Sequence, residues 1–170
     1  MCLIITVEVP SAARETLERA ARAASTDKLR VNMDHMPRWP WAQRDVARAS
    51  ISEDGMCACS LLTDEADWNA ESWAMRPEVL EPLARTLETL VSQGPARLAV
   101  QTLWAGDGPA TERPVTAHDL AATAREGRLG TRIRYVIERA AQQGVQRTRP
   151  RFAWSLAADP GVGQTCWGRA

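Results

Sequence analysis

The chain has 170 residues, 45% apolar and 25% charged, which suits one ordinary globular domain able to bury a core. Its formal net charge is zero, which excludes a strong overall pull on nucleic acid. The opening MCLIITVEVP lacks the basic start of a signal peptide, and no apolar run approaches the roughly 20 residues that span a bilayer.

The expectation is therefore a cytoplasmic protein with reduced thiols, in which four cysteines form no disulfide framework. Cys2 to Val9 reads as a buried strand, with Leu3, Ile5, Val7 and Val9 on one face and Ile4, Thr6 and Glu8 on the other. Pro10-Ser11 breaks it, and Ser11 is placed to cap a helix reaching about Ala24. Lys28 to His35 is the next strand, followed by a proline-rich bend carrying Trp39 and Trp41. Ala47 to Leu62 then reads as a hairpin about Asp54-Gly55. Its alternation puts Ala47, Ala49, Ile51, Met56, Ala58 and Leu62 toward the core, and Arg48, Ser50, Ser52, Cys57 and Cys59 on the other face.

An acidic stretch, residues 64 to 71, precedes a helix over about Pro77 to Ser92, with Leu80, Leu83, Leu87 and Leu90 as its buried stripe. Gly94-Pro95 ends it, and Arg97 to Trp104 reads as a strand. AGDGPATERP is turn-rich and reads as a loop. Thr116 and Asp119 have the spacing of an approximate capping box, Gly127 and Gly130 close that helix, and Thr131 to Ile137 reads as a further strand, with Ile133, Tyr135 and Ile137 aligned, or alternatively as a helix reaching Ala141. From Gln142 onward no element stands out.

This order implies an α+β protein with an antiparallel or mixed sheet and helices on one face. Strand, helix, strand, hairpin, helix, strand resembles a ferredoxin-like βαββαβ core with one extra strand. The core covers 1–108, and 109–170 is a C-terminal helix/strand extension packing on it within a single domain. Fold resemblance of this kind implies no activity.

No catalytic or ligand-binding motif of high specificity appears, no catalytic or metal residue is assigned, and no cofactor is implied. The expected site is the polar face opposite the helices, with Glu8, Arg30, Asp34, Arg48, Ser50, Ser52, Cys57, Cys59 and Gln101 as ligand-binding residues, joined there by Thr6 and Asn32. Its hairpin residues are small, and the segment after Gly108 is long enough to roof the resulting hollow. The function expected is non-catalytic: small-ligand binding, or self-association as a homodimer, through that face.

The rival is a thiol-based metal, redox or enzymatic role for Cys57 and Cys59. Their i, i+2 spacing along a strand, roughly 6.6 Å, disfavours a mutual disulfide. Cys2, His35, Met33, Met36 and Met56 would have to complete a soft-metal site, and that spacing matches no strong motif. Cys2 as an N-terminal nucleophile is weakened by Leu3, where such amidotransferases carry glycine. His118 and His35 are the only histidines available for acid–base work, beside Glu8 and Asp34. Residues 125–151 hold eight arginines, a candidate phosphate surface, yet the central strands lack the aromatics an RNA-binding sheet stacks on. Nucleic acid and membranes are not expected partners.

Overall fold

The computed structural model describes residues 3–33, 45–53, 57–63, 74–104 and 110–139. β1 (Leu3–Pro10) forms where the Ile/Val run predicts it, because β-branched side chains favour the pleated backbone. Its burial continues on both faces as far as Val9. A 3-10 turn at Ser11–Ala13 leads into α1 (Arg14–Ala24). Ser11 is not the cap: its backbone N–H donates to the Asp45 carbonyl at 3.0 Å, and Ala13 occupies the cap position without a side-chain bond. The other end is tied by Ser25, whose hydroxyl donates to the Ala21 carbonyl (2.9 Å) and accepts from the Val31 N–H (3.0 Å). One side chain thus closes the helix and launches β2 (Arg30–Met33).

β3 (Val46–Ser52) follows, then α2 (Pro77–Gln93) and β4 (Arg97–Trp104). Pro77 opens α2, where a missing N–H costs nothing, while Pro82 lies inside it and leaves the Glu78 carbonyl without its helical donor. Gly94 ends α2 by donating to the Leu90 carbonyl at 2.8 Å, and a Cβ there would collide with that same oxygen. β5 (Thr111–Pro114), α3 (Ala117–Arg125) and β6 (Ile133–Glu138) complete the described elements. Thr116 caps α3 by accepting from the Asp119 N–H at 3.1 Å, and its hydroxyl donates to the Asp119 carboxylate at 2.8 Å. At the far end Gly127, at φ 65°, donates to Ala124, and Arg128 donates to Thr123. These two bonds make a Schellman ending, which uses the left-handed backbone that glycine supplies without strain.

The six strands form one sheet in the order β2-β3-β1-β4-β6-β5, every neighbouring pair antiparallel except β5–β6. The protein is therefore α+β with a mixed sheet. One set of alternate residues packs under the helices: Leu3, Ile5, Val7 and Val9 of β1, Ala47, Ala49 and Ile51 of β3, Leu98 and Val100 of β4, and Tyr135 and Ile137 of β6. They meet Leu17 of α1, Leu83, Leu87 and Leu90 of α2, and Leu120 of α3 in one cluster. Among the described residues no helix is long and apolar enough to cross a membrane.

Two expectations need correction. Residues 57–62 do not form the second hairpin strand; Ala58–Leu61 is a 3-10 turn, followed by a single bridge from Leu62 to Met75. A strand has only two hydrogen-bonding edges, and those of β3 are already taken by β1 and β2. The turn itself, Asp54-Gly55, lies outside the described residues. The second correction is β5, a strand where a loop was expected. Its four residues are all exposed and end in Pro114, so burial periodicity could not announce it.

Candidate functional site

The sheet face away from the helices carries the other alternate set. Register places its side chains in rows across the strands. The central row runs Asn32, Ser50, Thr6, Gln101, Arg134, Glu112, one residue from each strand in spatial order. At about 4.8 Å per strand it extends roughly 24 Å. On one side of it lies Arg48–Glu8–Ala99–Val136, and on the other Arg30–Ser52–Ile4–Leu103. The face thus grades from a charged flank, through neutral hydrogen-bonding groups, to an apolar flank at Ile4 and Leu103.

This face is shielded. Ser52 is 1% exposed, Gln101 4%, Thr6 and Ser50 5%, and Glu8 6%. Ile4, Ala99 and Leu103 beside them are buried as well. The charges are tied to one another. Glu8 accepts from Arg48 Nε through Oε1 at 2.6 Å and from Arg134 Nε through Oε2 at 3.0 Å. Arg134 also donates from Nη1 to Glu112 Oε1 at 2.6 Å. Arg134 reaches Glu8 diagonally across β4, where Gln101 is in register with Arg134 and Ala99 with Glu8, and the small Ala99 methyl leaves that path open. At the edge of this charged flank a depression of about 180 Å³ is lined by Glu8, Asp45, Arg97, Glu112, Arg134 and Val136, among others. Pockets that take a whole ligand start near 300 Å³, so this space fits a substituent rather than a complete molecule.

The neutral groups are different. Thr6, Ser50 and Gln101 are buried, and beside them the Ser52 hydroxyl has no hydrogen-bond partner among the described residues. Folded proteins pair the large majority of their buried polar groups, so a buried hydroxyl without one calls for water or a ligand.

Of the residues expected at the site, Glu8, Arg48, Ser50, Ser52 and Gln101 share this face, and Arg30 stands exposed at its rim in register with Ser52. Asp34 lies outside the described residues, as do Cys2, His35, Met36 and Met56. The cysteines part from the expected arrangement because the strand that would have carried them is absent. Cys57 is half-buried in extended backbone before the 3-10 turn. Cys59 packs against the helix-side core, where its Sγ accepts from the Leu3 N–H at 3.1 Å. Among the described residues no three His, Cys, Asp or Glu side chains come together as a metal site.

Arg134 and Glu112 were missed. Alternation in IRYVIE opposes Arg134 to the buried Tyr135 and Ile137, which is a legible signal; Glu112, on the exposed β5, offers none. Among its described residues, arginines of the basic stretch besides Arg134 are also engaged. Arg125 pairs with Glu81 and Glu88, Arg128 with Glu126, and Arg139 donates to the carbonyls of Ser92 and Gly94. Compared with known protein families, curated proteins and solved structures, the chain matches none.

Proposed function

We propose that the protein is a non-catalytic binder of a small molecule, held on the sheet face opposite the helices. We also propose that β1, α1, β2, β3, α2 and β4 make a ferredoxin-like βαββαβ unit. The antiparallel order β4-β1-β3-β2, with β3 lying between β2 and β1, supports that reading. The observation that carries the binding proposal is the Ser52 hydroxyl, buried without a partner beside Thr6, Ser50 and Gln101 on a shielded face. A shielded hydroxyl with no partner costs about 1–3 kcal/mol, and a ligand that supplies hydrogen bonds removes that cost.

Thr6→Val tests the reading, since it keeps side-chain shape and deletes one hydroxyl. Equilibrium dialysis of the purified protein against a small-molecule cell extract, read by mass spectrometry, should enrich at least one compound with wild type and much less of it with the variant. Equal enrichment, or none, ends the proposal. A dimer in sedimentation that dissociates in Thr6→Val would instead assign the face to self-association.

A further inference from the structure

The outer end of the sheet carries a second cavity, apart from the hydroxyls of the polar face. Among the described residues, Arg113 on β5 and Arg132 in the turn before β6 have neither an ion pair nor a side-chain hydrogen bond. Both line one cavity of about 690 Å³. That volume lies within the roughly 300–1,000 Å³ of small-molecule sites, unlike the 180 Å³ depression beside Glu8. The carboxylate in its lining belongs to Glu112, which already accepts from Arg134 Nη1 at 2.6 Å. Both guanidinium charges are therefore left over at the cavity.

Arg132 takes left-handed backbone, at φ 57°, which a side chain enters against steric resistance and glycine enters freely. Its peptide groups are pinned from both sides. The Arg132 N–H donates to the Thr102 carbonyl of β4, and its carbonyl accepts from the Thr111 N–H of β5, each at 2.8 Å. Gly130 beside it is fixed as well: its N–H donates to the Tyr135 hydroxyl at 2.8 Å, and its carbonyl accepts from the Thr102 hydroxyl. These bonds would form equally well with glycine at 132, so the turn does not need the guanidinium. We propose that the cavity binds the phosphate group of a small phosphorylated molecule, between Arg113 and Arg132, with the Thr111 hydroxyl as a further donor. Guanidinium forks match phosphate oxygens, and a phosphate charge of about −1.5 to −2 at pH 7 meets the two unpaired cations. Half-buried Ile133 in the lining is the apolar contact for the organic part.

Inorganic phosphate tests the site when titrated into isotopically labelled full-length protein near neutral pH, with backbone amide signals followed by NMR. It is expected to move the Thr111, Arg113 and Arg132 signals saturably, with a midpoint that rises with sodium chloride, because exposed charges are screened. Arg113→Gln and Arg132→Gly should each weaken that midpoint about tenfold, the loss of one charge-assisted contact. Arg132→Lys, which keeps the charge, should restore part of the affinity. The melting temperature of Arg132→Gly is expected to equal or exceed that of wild type, since glycine removes the strain. Thr6→Val should leave the phosphate midpoint unchanged, which separates this site from the polar face. A lower melting temperature in Arg132→Gly with an unchanged phosphate midpoint would make Arg132 a turn residue and overturn the proposal. It falls too if phosphate moves none of these signals saturably, or if succinate or a single-stranded oligonucleotide saturates them where phosphate does not.

Discussion

At the residue scale the molecule turns on Glu8. It sits on a central strand, 8% exposed at its side chain, and each carboxylate oxygen holds one guanidinium. The two arginines keep some water, at 19% and 16% exposure. A buried acid costs stability unless it is paired, so its two partners are what make it tolerable on this face. Replacing it as Glu8→Gln leaves both guanidiniums without their common anion. The expected loss is about 2 kcal/mol in urea denaturation, below the ~3–5 for a fully buried pair because of that residual hydration. A midpoint equal to wild type would show that the pairs are dispensable. Ser52 shows the complementary case, a buried hydroxyl without a hydrogen-bond partner among the described residues.

At the element scale, α3 is fastened to α2 by Arg125, which donates to Glu81 and to Glu88, both at 2.8 Å. The Glu81 carboxyl is held below the ordinary glutamate value, first by the hydrogen bond from Arg85 and then by that from Arg125. A carboxyl lowered in the folded state contributes stability above its unfolded value, near pH 4.3, and loses it as pH falls through the folded one. Melting temperature is therefore expected to fall between about pH 5 and pH 3, and to fall less steeply in Glu81→Gln. The difference should be small, because all three side chains are well exposed and solvent screens such pairs. Identical slopes would remove Glu81 from the account. Beneath these pairs the apolar contact of Leu120, Ala121 and Ala124 supplies the larger share of α3 docking.

At the scale of the whole molecule, the segment after the turn-rich loop is part of the sheet and not an ornament on it. β6 covers the outer edge of β4 and sends Tyr135 and Ile137 into the same core as β1 and β3. A chain ending at Gly108 would expose that edge together with the apolar surface beneath it. Such a fragment is expected to aggregate or remain unfolded, as read by circular dichroism and sedimentation. A folded, monomeric fragment would show that the first four strands suffice. The same closure places Arg134 over β4, so the fragment would also lose one of the two cations on Glu8.

What the amino-acid order settled by itself was local. Alternation fixed the phase of β1, β3 and β4, and hence which of their side chains face the helices, because successive strand residues point to opposite faces. Proline, glycine and Thr116 marked helix ends for the same kind of reason, acting within one turn of chain. Tertiary structure alone decided which strands are neighbours. β3 spent both edges on β1 and β2, so the Cys57–Cys59 run had no edge left to pair with and Cys59 went to the helix side. The polar row and the Glu8–Arg134 pair, 126 residues apart in sequence, exist only once β4 and β6 lie side by side. Periodicity reports the face a residue takes; strand order decides what it meets there, and that depends on burying the whole core at once.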